Sequence, residues 1–186
     1  MKFCMFASVA LVAALSAPAH SQTRKPAPAN SQAQAQPTAP EGPVRTERTV
    51  FESWVATCQE VVGDPKSKRC SAVLSILEEQ SQRVAFLWTI GRNAAGAPTA
   101  VFTTPTGINL LNGLDLQIGK GKPRKLAFAA CDANSCEAVM PLDESVLRDA
   151  RASEEASATI TMKDGRTVRF SIINKGFEKA FAAVRG

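Results

Sequence analysis

Seven short apolar-rich segments follow one another through the middle of the chain, each closed off by Gly, Pro, Asn or Asp. They are VFESWVATC (50–58), SAVLSILEE (71–79), RVAFLWTI (83–90), TAVFTTP (99–105), LDLQIG (114–119), KLAFAAC (125–131) and CEAVMPL (136–142). Segments of this length and spacing fit strands of an antiparallel sandwich or barrel. A parallel sheet would need long amphipathic helices between its strands, and no such pattern intervenes.

The register of one hairpin is legible in SATITMKDGRTVRFSI, residues 157–172. Ala158, Ile160 and Met162 alternate with polar residues, as do Val168, Phe170 and Ile172, so each strand has one apolar face. Opposed residues must share a face. A two-residue turn at Asp164-Gly165 would set Ile160 against Arg169. A three-residue loop, Lys163-Asp164-Gly165, instead pairs Ile160 with Val168 and Ala158 with Phe170, and gives Gly165 the left-handed position such a loop requires.

Two helices complete the domain. Residues 144–152 form a short one after Asp143, with Leu147 and Ala150 turned inward. Near the C-terminus Phe177, Ala180, Phe181 and Val184 recur at i, i+3, i+4 and i+7, an apolar stripe suited to packing on the sheets.

The N-terminus reads as an export signal over residues 1–21: Lys2, an apolar run from Phe3 to Leu15, and the small residues Ala17-Pro18-Ala19. The run is shorter than the roughly 20 residues of a membrane-spanning helix. Residues 22–48 contain five prolines and Val44 as their one large apolar residue. Such a segment buries too little to offset the entropy of ordering it, and a disordered Pro/Ala/Gln-rich linker is expected. Residues 49–186 then make one domain.

Beyond Cys4, within the export signal, four cysteines remain: Cys58, Cys70, Cys131 and Cys136. In an oxidising compartment an even set favours disulfides, here with three possible connectivities. A hairpin with strands 125–131 and 136–142 around the loop Asp132-Ala133-Asn134-Ser135 sets Cys131 opposite Cys136, at about the 5.5 Å Cα separation a disulfide prefers. Cys58 then pairs with Cys70 across a loop carrying the turn signal Gly63-Asp64-Pro65.

The chemistry open to the chain is narrow. The one histidine, His20, lies within the export signal, so the domain offers no imidazole for a catalytic triad or a Cys/His zinc site. The spacing of Cys131 and Cys136, with Asp132 and Glu137 beside them, lacks the Cys-x-x-Cys arrangement and electropositive surroundings of a redox pair. The acidic residues Asp143, Glu144, Asp149, Glu154 and Glu155 lie among arginines and suit solvated ion pairs. No cofactor and no metal is expected.

Without Lys2 the chain holds 21 basic and 17 acidic residues, a mild excess. Basic stripes with interleaved aromatics are missing, and no nucleic-acid partner is expected. The turn GKGKPRK departs from the spacing of a phosphate loop, yet its Lys120, Lys122, Arg124 and Lys125 form the best local candidate for contact with an anion, including peripheral contact with a membrane surface.

Taken in order, Phe51-x-x-Trp54-x-x-x-Cys58, Cys70, Pro105-Thr106-Gly107, Cys131-x(4)-Cys136 and Gly176-Phe177 resemble the invasion-associated locus B proteins, exported proteins of Gram-negative bacteria. The resemblance spans about residues 50–184. It implies an all-β, immunoglobulin-like antiparallel β-sandwich with a short C-terminal helix, two local disulfides, no cofactor, no catalytic motif, and a place in the periplasm, at the cell surface or outside the cell. The function expected is non-enzymatic: binding of an envelope or host protein, with a link to host-cell invasion implied by the family name. Two alternatives are a periplasmic carrier with an apolar cavity inside the sandwich and a hydrolase working through carboxylates, which needs two of them about 5 to 10 Å apart in a cleft.

Overall fold

The computed structural model describes residues 42–185. The expected export signal and residues 22–41 of the expected linker lie outside the described residues. The strands are β1 (Val44–Phe51), β2 (Trp54–Val61), β3 (Asp64–Leu77), β4 (Val84–Arg92), β5 (Pro98–Pro105), β6 (Leu114–Ile118), β7 (Arg124–Leu126), β8 (Phe128–Cys131), β9 (Ser135–Pro141), β10 (Glu155–Thr161) and β11 (Thr167–Ile173). Helix α1 (Glu144–Ala152) stands between β9 and β10, and α2 (Phe177–Arg185) follows β11. Seven strands form one sheet in the order β1-β2-β3-β4-β5-β9-β8, and four form another in the order β11-β10-β6-β7. All pairings are antiparallel.

Register stacks the inward side chains into rows. Leu74, Trp88, Phe102 and Ala138 stand side by side across β3, β4, β5 and β9. Ala56, Ala72, Ile90, Ala100 and Met140 form the next row, starting on β2. All of them are buried. The four-stranded sheet answers with Leu114, Leu116, Ile118, Ala158, Ile160 and Phe170, and Phe170 stacks on Phe86 of β4 at 5.0 Å between ring centres. Alternation of buried and exposed residues along these strands is the period-2 signature of sheets with one dry face.

Helix α2 covers another part of the same large-sheet face. Its Phe177 lies 5.7 Å from Trp54 and 6.1 Å from Trp88, and the two indoles meet edge to face at 5.3 Å. The whole expected stripe, Phe177, Ala180, Phe181 and Val184, is buried. Helix α1 starts at Asp143, whose carboxylate accepts from the Val146 backbone N–H at 2.8 Å, and it buries Val146 with Leu147 and Ala150. The β10–β11 hairpin takes the expected register, Ile160 opposite Val168 and Ala158 opposite Phe170, with Gly165 at φ +86.

Five features differ from expectation. The segment 50–58 is broken by a two-residue turn, Glu52-Ser53, and the chain before it pairs back on β2 as β1. That strand begins at Val44, inside the segment expected to be disordered through Arg48, because a ready sheet edge supplies its hydrogen bonds. Exposed Arg45, Glu47 and Arg48 blunt this edge against further pairing. Strand β3 begins at Asp64 instead of residue 71, with Ser67 Oγ accepting from Val61 N–H at 2.7 Å and donating to Asp64 O at 2.6 Å where the ladder slips.

The segment 125–131 is also two strands. β7 pairs with β6 in the small sheet, β8 pairs with β9 in the large one, and Ala127 alone joins them. Finally, β4 carries a bulge: Leu77 faces Val84 while Ile76 faces Phe86, leaving Ala85 over. The bulge turns Val84 away from the buried face that Phe86 and Trp88 share, and Val84 is 49% exposed.

Candidate functional site

Cys58 on β2 lies directly opposite Cys70 on β3, and Cys131 on β8 opposite Cys136 on β9. Each pair is bonded, with Cα separations of 4.1 and 4.0 Å. Both are shorter than the expected value of about 5.5 Å because each bridge joins directly opposed ladder residues, whose narrow pairs approach about 4.5 Å. The loop at the second bridge is organised by Asp132, whose carboxylate accepts from the backbone N–H groups of Asn134 and Ser135, both at 2.7 Å. Those two bonds hold its pKa below the ordinary 3.8.

The basic turn after β6 is less uniformly cationic than its sequence. Arg124 reaches inward to Asp149 of α1 at 2.8 Å, with both side chains mostly buried, and Lys125 pairs with Asp115 at 3.0 Å on the surface. Lys120 and Lys122 stay exposed, with no ion pair among the described residues. Beside the turn is a hollow of about 820 Å³ whose walls include Asp149, Glu154 and Glu155 as well as Lys120 and Arg169. Asp149 is held by Arg124, and Glu154 by Lys175 at 3.4 Å. The turn therefore presents two lysines next to acidic walls, and the four basic residues do not converge on one point.

The feature that sequence reasoning left without residues is a cleft at one end of the sandwich, beyond the Phe86–Phe170 stack. Its volume is about 780 Å³. Ile76 of β3 and Phe170 and Val168 of β11 form part of its walls, together with Ile108, Ile160 and Met162. Apolar side chains at the opening, Leu77 and Val84, are 46% and 49% exposed. Polar groups gather at the same opening: Glu78, Arg83, Asn134 and Ser135. A mostly apolar concavity of this size with a few polar groups at its mouth has the character of a ligand site. The β4 bulge shapes one wall, where β3 and β4 fall out of step. The signal in sequence was faint: Leu77 and Val84 sit on either side of the polar turn EEQSQR, where an ordinary hairpin end would be polar.

No curated protein matches the chain. Among solved structures it is similar to the crystal structure of invasion associated protein B from Bartonella henselae, at 20% identity and a TM-score of 0.63, over 74% of this chain and 94% of that one. At that identity the likeness speaks for the fold. The family model for invasion associated locus B (IalB) proteins matches residues 54–185, nearly all of the described domain. The chain belongs to the IalB family.

Proposed function

We propose that this chain is an exported, non-enzymatic binding module of the cell envelope, and that the cleft at the end of the sandwich is where it binds. The observation that carries the reading is the cleft itself: about 780 Å³, apolar within and polar at the rim. Two bridged cysteine pairs suit an oxidising compartment, and no described helix is long and apolar enough to cross a membrane. The link to invasion in the family name comes to this chain as a narrower expectation, that an envelope component or host protein is held at this rim.

The test is a photo-crosslinking residue placed at Leu77, on the rim, or at Arg45, on the exposed strand β1, in living cells. Adducts with one envelope or host component from Leu77 and none from Arg45 support the reading. Adducts from neither position, or equal labelling from both, overturn it.

A further inference from the structure

Resting on the binding-module reading, we infer that the cleft takes a single-chain amphiphile, with its acyl chain between the sheets and its anionic head at Arg83. The interior favours a chain over a peptide. Ile76, Ile108, Ile160, Met162, Val168 and Phe170 offer apolar surface, and the buried Thr104 hydroxyl already donates to the Cys136 carbonyl at 3.4 Å. A peptide would bring backbone N–H and C=O groups needing partners that such walls do not supply, whereas an acyl chain brings none.

The mouth selects the head. Arg83 makes no ion pair among the described residues, and it stands at the opening beside the half-exposed Leu77 and Val84. The other charged group there, Glu78, is engaged by the Ser81 hydroxyl within its own turn. One uncommitted guanidinium matches one carboxylate or phosphate. Glu78 opposes that anion, so its neutralisation is expected to tighten binding.

The experiment is calorimetric titration of the oxidised protein with hexadecanoate, dodecanoate, hexadecyl phosphate and hexadecanol, each below its aggregation threshold, and with phosphatidylglycerol vesicles. Saturable one-to-one binding of hexadecanoate is expected, with dodecanoate weaker on the order of a hundredfold, since each buried methylene adds a fixed increment. R83Q should weaken both anions about tenfold and leave hexadecanol unchanged, while E78Q tightens them several-fold. Hexadecyl phosphate carries one more alkyl carbon than hexadecanoate, which adds about fourfold, so a ratio beyond that shows which headgroup the mouth suits. The variant residues are exposed, and an unchanged melting temperature checks that the fold is kept.

Equal affinity for hexadecanol and hexadecanoate overturns the role of Arg83. Binding indifferent to chain length, or binding only to phosphatidylglycerol vesicles, overturns the acyl-chain site. If no amphiphile binds while Leu77 still crosslinks an envelope protein, the ligand class falls and the binding-module reading stands.

Discussion

The side-chain amide of Asn174 donates to the carbonyl of Ala150 at 2.9 Å, tying the end of β11 to the last turn of α1. The same amide donates to Ser153 O at 3.1 Å, and Asn174 is 2% exposed. Carbonyls at a helix C-terminus lack partners within the helix, so this side chain acts as a cap delivered from elsewhere in the chain. Asn174→Ala should cost about 1–3 kcal/mol, because it strands buried acceptors. Chemical denaturation of the two proteins measures it, and a loss below about 0.5 kcal/mol would remove the capping role.

Gly176 and Gly165 both have positive φ, +87 and +86, yet their surroundings differ. A methyl at Gly176 would overlap the Phe51 carbonyl, while one at Gly165 meets open space. Gly165→Ala should cost about 1 kcal/mol, for backbone conformation alone. Gly176→Ala must also push the turn before α2 away from the Phe51 carbonyl at the end of β1, and should lower the melting temperature much further. Similar losses in the two variants would contradict the packing described here.

The two ion pairs of the basic turn separate burial from charge. Arg124 and Asp149 have side chains 14% and 12% exposed, against 65% and 58% for Lys125 and Asp115. A double-mutant cycle should give a coupling of about 1–3 kcal/mol for the first pair and under about 0.5 kcal/mol for the second. Equal couplings would mean that Arg124 is more solvated than its position implies.

The disulfides close loops of different size, with sequence separations of 12 and 5. In the chain-entropy model their loss costs about 3 and about 2 kcal/mol respectively. Replacing Cys58 and Cys70 together by Ser should therefore lower the melting temperature more than replacing Cys131 and Cys136. Equal melting with and without reductant would refute both estimates.

Asp132 has a lowered folded pKa, first from the Asn134 N–H and then from that of Ser135. For a carboxyl depressed on folding, the stabilisation is full above its unfolded value and is lost as pH falls through the folded value. The relevant window therefore lies at and below the ordinary 3.8. An NMR titration following the Asn134 and Ser135 amides should show a midpoint under 3.8, absent in Asp132→Asn. A midpoint at or above that value would rule out the loop geometry.

The sheet elements whose ends carry local turn chemistry were readable from sequence. Asp164-Gly165 with alternating neighbours set both the existence and the register of the β10–β11 hairpin, and Asp143 marked the start of α1. The turn at Glu52-Ser53 has neither Gly nor Asn, and Glu52 takes φ +56. What supports it is distant: Ser53 N–H donates to Lys175 O at 3.3 Å, a contact across more than a hundred residues. The change of sheet at Ala127 is invisible for a related reason, since KLAFAAC reads as one strand whichever sheet its halves join. The cleft arises from the β3–β4 slip and from β10, β11 and the loops beside them in the opposite sheet, and no single stretch of sequence contains it.

The crossing at Ala127 has a mechanical consequence. There the two sheets are bound along one border by a single residue, much as a spine binds two covers, with the Cys131–Cys136 bridge a few residues further along. The cleft walls contributed by β3 and β4 on one side and β11 on the other have no such one-residue link. Where β4 faces β11 the sheets meet instead through side chains, the Phe86 ring stacked on Phe170 at 5.0 Å. One border of the sandwich is thus set by the backbone itself, and the border at the cleft by the side chains that meet there.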